Sequence, residues 1–325
     1  MIGAVNPSIA QFLANLDSIT QRSNRAQNEV SSGLKLTEPS DSPGDVNAAL
    51  EAQADLDQTT QIVTNLGQVT SQTNTAESAL ENAVSVVQQV TQLGAEGATG
   101  TQTSETRSNL ASQVQTLQQQ LVGIANTSFE GRYVFSGDQD GTQPYTVDPG
   151  SPTGVASNIE WSSTQATQQA IGLNGETFPI AQTAGEIFDS SDANGNPTAA
   201  NVFAAVNALQ LALQNNPSVQ PGDPQYQSQS DAQQAAINAA MASLQTASDH
   251  LNQGLAFYGN VQDRVAAATN DANNRQTYEQ TALSNAEDAD LPSAISEMTE
   301  DQIDEQATLA AQAQLPKSSL FNYLG

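Results

Sequence analysis

The sequence predicts a mainly α protein with a β-rich insert, in which helices from the two ends of the chain form an elongated antiparallel coiled-coil rod. Three observations lead there. Apolar residues recur at alternating spacings of three and four over most of 1–128, and again from about 226 onward. From about 129 the period drops to two, and Gly, Pro, Asn and Asp become frequent. The order is palindromic, with terminal helices outermost, long helices inside them and the insert in the middle. Both chain ends are therefore expected at one pole of the rod.

The first helix carries a narrow heptad seam at Ile9, Phe12, Leu16, Ile19, Ser23, Ala26 and Val30. A lone helix with so thin a stripe is marginal in water and needs a partner. The stretch SSGLKLTEPSDSPGD (31–45) breaks it, with Gly33 as a stop and Lys35 near the negative helix end. Ser42 then reads as an N-cap, Pro43 as the first helical residue and Asp45 as the acid three places on. The second helix is expected to run to Leu93, with Leu56, Val63, Leu66, Leu80, Val84 and Val87 on its seam. Some 50 residues at 1.5 Å each span roughly 75 Å, the length of a rod and not of an ordinary globular helix.

Residues 94–105 read as a Gly/Thr loop. A third helix follows, with Leu110, Val114, Leu117, Leu121 and Ile124, expected to fold back antiparallel on the second. In the insert, Arg132–Phe135, Ile159–Trp161 and Phe178–Ile180 read as strands between turns. Val202, Phe203, Val206, Leu209 and Leu213 mark a short helix, and 215–225 a linker. The rod resumes over 228–288, its seam running from Ile237 to Ala286 and including Arg275 and Glu279. After a break at 286–292, Leu291, Ile295, Met298, Ile303, Ala307 and Ala310 give a last helix an apolar stripe. The expected domains are thus terminal assembly segments at 1–40 and 290–325, a coiled-coil rod from 41–128 and 226–289, and an acidic insert at 129–225.

Composition limits the function. Eight basic against 35 acidic residues give a net charge of −27. That argues against nucleic acid, whose binding draws on Lys/Arg clusters, and against an anionic membrane surface. The insert region 129–230 holds ten acidic residues and a single basic one, Arg132. With no cysteine, disulfides and thiolate metal sites are excluded. The start, MIGAVNPSIAQFLANL, is not expected to be a cleaved signal peptide, since no basic residue precedes Arg22 and no long apolar run occurs.

Several stretches carry a family resemblance. SSGLKLTEPSDSPGD resembles the turn of bacterial flagellin-like proteins in which a Ser-Gly and a basic residue precede Pro-Ser-Asp-Asp-Pro; Ser42 replaces the second Asp, and Gly44-Asp45 replaces small apolar residues. GLAFYGNVQDRVAAATND (254–271) resembles the family's C-terminal helix, and Arg264 matches its arginine. LSNAEDADLPSAISEM (283–298) is similar to the break before its last helix. ANTSFEGRYVFSGDQDGTQPY (125–145) and the terminus SSLFNYLG resemble the branch of that family found where hook meets filament.

The resemblance covers most of 1–140 and 200–325. It implies a structural subunit of the flagellum, exported unfolded by the flagellar type III apparatus with an export chaperone. It implies terminal segments that fold together on assembly. The implied partners are copies of the same chain in a tube, a hook-side junction protein, and flagellin or the filament cap; the alternative is a divergent flagellin forming the filament itself. The implied assembly contacts are Ile9, Phe12, Leu16, Ile19, Ala26, Val30, Leu291, Ile295, Met298, Ile303 and the C-terminal cluster Leu320, Phe321, Tyr323 and Leu324, with Arg264 as a rod contact.

His250 is the only histidine and fits no triad or metal spacing. DQDG (138–141) and DANGN (192–196) open like calcium loops, but the twelfth position from Asp192 is Phe203; turn chemistry accounts for them better. Gly94, Gly97 and Gly100 lack the lysine of a phosphate loop. Glu287, Asp288, Asp290, Glu297, Glu300, Asp301, Asp304 and Glu305 form an acidic run, read either as a solvated face or as a contact with a basic groove of a neighbour. No catalytic constellation emerges and no cofactor is implied.

Overall fold

A computed structural model describes residues 7–36, 42–100, 102–161, 164–173, 175–192 and 194–313. Their helices are α1 (Pro7–Ser32), α2 (Pro43–Gly97), α3 (Ser104–Ala125), α4 (Ala184–Ile187), α5 (Val202–Gln214), α6 (Tyr226–Glu287) and α7 (Leu291–Ala313). Among the described residues, six short strands pair as three antiparallel hairpins: β1 (Ser128–Phe129) with β2 (Arg132–Tyr133), β3 (Tyr145–Val147) with β4 (Val155–Ser157), and β5 (Gln169–Ile171) with β6 (Thr177–Pro179). The chain is mainly α with a β-rich insert, as the sequence predicts. It divides into two compact units, residues 1–60 with 274–325, and residues 61–273.

The second unit holds the larger core. The 3–4 spacing of α6 becomes a buried face at Ile237, Ala240, Leu244, Ala247, Leu251, Tyr258, Val261, Val265 and Ala272. From Ile237 to Tyr258 it clusters with Ala76, Leu80, Ala83, Val87 and Val90 of α2 and Leu110, Val114 and Leu121 of α3. The helices α2 and α6 run antiparallel, since Gln262 donates to Asn74 and Glu77 while Leu80 lies beside Gly254.

Where the sequence places the end of α2 at Leu93, the helix continues to Gly97. Gly94 and Gly97 are not part of the loop, which is confined to the residues between Gly97 and Ser104. Gly94 and Gly97 sit on the seam, and a Cβ on Gly97 would stand 2.3 Å from Leu213 Cδ2 of α5. Close helix approach has overridden helix propensity here.

The change of period at 129 begins with a two-residue hairpin turn. Glu130 (φ 51°) and Gly131 (φ 81°) both adopt the left-handed conformation that such a turn requires. The strand then ends at Tyr133, and Val134 and Phe135 turn inward. Phe135 is fully buried, edge-on to Phe188 at 5.6 Å and to Tyr258 at 6.3 Å. Tyr145, Phe188 and Phe203 complete an aromatic cluster. The insert is therefore packed into the helical core and is not an autonomous module. Ile159–Trp161, expected as a strand, is not one: Ile159 is buried and Trp161 packs on Tyr145 and over Gly185. A second cluster seats the β5–β6 hairpin, through Ala170 and Phe178, on Leu66, Val261 and Val265.

Candidate assembly interface

In the first unit α1 packs against α7. The two run antiparallel, because Leu34, just beyond α1, bridges Asp288, just ahead of α7, and Arg22 meets Asp301 further along. A backbone bridge ties the helix ends: Ala289 N donates to Gly33 O at 2.9 Å, and Lys35 N to Glu287 O at 2.7 Å. Gly33, at φ 75°, lets the chain leave α1 in this direction. The Lys35 ammonium donates to Asn285 O at 3.1 Å and lies 3.3 Å from Asp45. Asp45 also accepts from the Ser42 hydroxyl at 3.0 Å. The Ser42 hydrogen bond first, and then Lys35, hold the Asp45 carboxyl below the usual range. Four helix termini thus meet at Lys35 and its neighbours. The Pro-Ser-Asp part of the turn, 39–41, lies outside the described residues.

From Phe12 to Val30 the α1 stripe lands as its spacing predicts, while Ile9, its first member, is exposed. Ala26 is buried, and Phe12, Leu16, Ile19, Ser23 and Val30 are half-buried. On α7 the inward face shares only Met298 with the apolar stripe read from the sequence. Ala294, Met298, Asp301, Glu305 and Thr308, again three and four apart, are the sheltered positions. Leu291, Ile295, Ile303 and Leu309 point outward, 42%, 47%, 61% and 49% exposed. Ile9 and Leu13 of α1 are exposed as well, as are Leu34, Leu50 and Tyr278. Among the described residues, the second unit leaves only Val147, Ile171 and Leu211 comparably open.

Within the inward face of α7, Asp301 is a buried acid. Its side chain is 3% exposed, and its Oδ1 pairs with Arg22 Nη2 at 2.7 Å. Arg22 also lies 3.7 Å from Asp304. Part of the acidic run is therefore turned against the chain's own α1. Sequence reading missed this pair, although Asp301 stands seven residues after Ala294 and three after Met298, on one helical stripe.

Arg264 lies in the second unit. It pairs with Glu176 in the β5–β6 turn at 2.9 Å and stacks over Phe178, 5.0 Å from the ring centre. Arg275, expected on the seam, is half-exposed: it lies over Tyr278 and pairs with Asp55 at 3.4 Å. Its Nε also stands 2.5 Å from the buried Glu279, without the alignment of a hydrogen bond. Leu320, Phe321, Tyr323 and Leu324 lie outside the described residues.

The remaining chemistry is structural. The His250 ring meets Glu186 O at 2.7 Å. Asp192 Oδ1 accepts from the amides of Asn194 and Asn196, an Asx turn. Asp138 accepts from the Thr167 amide and hydroxyl. Among the described residues no three His, Cys, Asp or Glu stand close enough together to hold a metal ion, and no helix is long and apolar enough to cross a membrane.

Comparison with known proteins places this arrangement. The chain is 27% identical over 192 residues to flagellar hook-associated protein 3 of Escherichia coli K12, covering 57% of this chain and 58% of that one. It is 27% identical over 199 residues to the protein of the same name from Salmonella typhimurium LT2, covering 58% and 60%. The alignments thus span under two thirds of these relatives. The fold is similar to the crystal structure of Xanthomonas campestris FlgL, with a TM-score of 0.58 at 18% identity over 72% of this chain and 99% of that one. The family description "bacterial flagellin N-terminal helical region" matches residues 5–140, and "bacterial flagellin C-terminal helical region" matches 241–324. Together these cover more than half of the sequence, and the chain belongs to the bacterial flagellin family.

Proposed function

We propose that this chain is a structural subunit of the bacterial flagellum, placed at the junction of hook and filament, and that it performs no catalysis. The observation that carries the reading is the outward apolar face of the α1–α7 unit, at Leu291, Ile295 and Leu309 with Ile9 and Leu13 beside it in sequence pattern. Such residues are costly to leave in water, at about 1.5–3 kcal/mol for each one fully transferred. A repeating, non-closing contact between copies would bury them along a tube. The names of the E. coli and Salmonella relatives support the junction over the filament itself.

In this reading 1–40 and 290–325 are the assembly segments, 41–128 with 226–289 the coiled-coil rod, and 129–225 the acidic β-rich insert. The partners are copies of this chain, a hook-side junction protein, and flagellin or the filament cap. Before assembly the chain would meet an export chaperone and the type III export apparatus, and it would function outside the cell. The charge of −27 supports partners other than nucleic acid or anionic lipid.

Deleting the gene and scoring swimming tests the proposal. Cells that keep hooks, lose filaments and shed a separate flagellin into the medium support a junction protein. Loss of filaments with no second flagellin in the medium makes this chain the filament subunit instead.

A further inference from the structure

We infer that the cleft beside Trp161, in the second unit, is a binding site for a small organic cation, an alkylammonium or guanidinium group.

The cleft has a volume of about 540 Å³, within the range of small-ligand sites. Its walls include Trp161, Thr164, Glu186, Asp189, Ser190 and Asp192. Local folding groups the acids. Glu186 closes the capping box of α4 with Thr183, Asp189 follows just after that helix ends, and Asp192 opens the next turn. Among the described residues that line the cleft, none is basic. Arg132, the single basic residue of 129–230, is paired elsewhere, with Asp140 at 2.9 Å.

Three acids alone would be a solvated face, and Asp192 is engaged by its own loop through both carboxylate oxygens. Two further observations separate this cleft from such a face. The first is Asp189, which is sheltered and accepts a hydrogen bond from the neutral Asn201 amide at 2.7 Å. Burial raises its pKa against that hydrogen bond. The ionised group thus lacks the opposite charge that a sheltered carboxylate calls for. The second is Tyr145, a residue with no exposed surface whose hydroxyl has no hydrogen-bond partner. Its ring packs on Trp161 at 5.7 Å, and its hydroxyl is pushed up by burial and then by the Asp189 charge. The hydroxyl therefore ends at the wall that Trp161 and Asp189 share.

An ammonium or guanidinium group carries donors and no acceptor. It complements the Asp189 and Glu186 carboxylates, the Ser190 hydroxyl and the Tyr145 oxygen together. Indole is also the aromatic ring that attracts a cation most strongly. Gly185 allows the close seat of that ring, since a Cβ there would stand 2.6 Å from Trp161 Cγ. A phosphate or carboxylate ligand would meet acids with no cation between them. A neutral polyol would leave the Asp189 charge uncompensated.

Trp161 is the only tryptophan, so emission from the full chain reports on the cleft. It is titrated at constant ionic strength with agmatine, with N-acetyl-arginine amide and with glucose. The proteins are the parent, Asp189→Asn, and Asp231→Asn, the last removing an exposed acid of α6 outside the cleft. The site predicts a saturable change with at least one of the two cations, weakened about tenfold or more by Asp189→Asn and unchanged by Asp231→Asn, as loss of one partner of a charge pair requires. The same cation should raise the thermal midpoint of the parent more than that of Asp189→Asn. Tighter binding of the amide makes a side chain of another protein the source of the cation; tighter binding of agmatine makes it a free amine. The inference is overturned by a change that does not saturate by about 10 mM, that survives Asp189→Asn, that Asp231→Asn weakens equally, or that glucose alone produces.

Discussion

Arg107 Nη1 donates to Gln233 Oε1 at 2.8 Å, inside the core of the second unit. Arg107, at the start of α3, is 8% exposed. Its Nε donates to Gly97 O at the C-terminus of α2, at 3.2 Å. Gln233 of α6 in turn donates to Ala212 O at the end of α5 and to Asn216 Oδ1, each at 3.2 Å. The guanidinium therefore sits where the last carbonyls of α2 need donors and where the helix dipole is negative. Removing Gln233 as Leu leaves a buried guanidinium short of an acceptor, at about 2–3 kcal/mol. Arg107→Leu should cost a similar amount, and the double variant clearly less than the sum. Denaturant unfolding of the four proteins measures the coupling; strict additivity would show that the two side chains act independently.

Glycines in this chain should respond to substitution with opposite signs. Gly67 lies in α2 with no atom within 4 Å of a Cβ, so Gly67→Ala should stabilise by about 0.5–1 kcal/mol through helix propensity. Gly97→Ala meets the buried Leu213 side chain and should cost about 1–3 kcal/mol by overpacking, more than the propensity gain. Thermal unfolding of both variants should move the midpoint up for the first and down for the second.

Burial raises the pKa of Asp189, against the weaker opposing effect of the hydrogen bond from Asn201 at 2.7 Å. A raised folded-state value means that this group contributes stability below the pKa of the unfolded chain, and that the contribution is lost as pH rises through the folded value. Above that window Asp189 is an ionised acid held partly out of water, and its charge also helps, after burial itself, to push the Tyr145 hydroxyl up. Asp189→Asn retains an acceptor for Asn201. The variant should be the more stable protein near pH 7, and the advantage should shrink on acidification to about pH 4, near the free carboxylate value. Comparing the two proteins at each pH cancels the general effect of net charge. An advantage that does not change with pH would rule out ionisation of Asp189 as its source.

How α1, α5 and α6 bury themselves was legible from the residues. The positions Phe12, Leu16 and Ile19, Val206, Leu209 and Leu213, and Ile237 to Ala272 follow from helix geometry, which any sequence with 3–4 spacing must obey. The insert was legible only as a change of grammar. Strands of two or three residues are too short to show a period, and its aromatic residues are spent on a core shared with helices far away in sequence.

The sequence by itself determined which segments are helical and which faces are apolar, and its charge of −27 weighs against polyanionic partners. Tertiary structure decided what each face meets. Gly94 and Gly97 look like a loop until Leu209 and Leu213 of α5 arrive from more than a hundred residues away. The α7 stripe gives no sign in the sequence of which side it turns to α1; in the fold Leu291, Ile295 and Ile303 stay outward while Asp301 meets Arg22, some 280 residues earlier. Periodicity is a local property, carried by backbone geometry. The choice between two faces of one helix is a difference of small energies between distant groups, and only the folded chain brings those groups within reach.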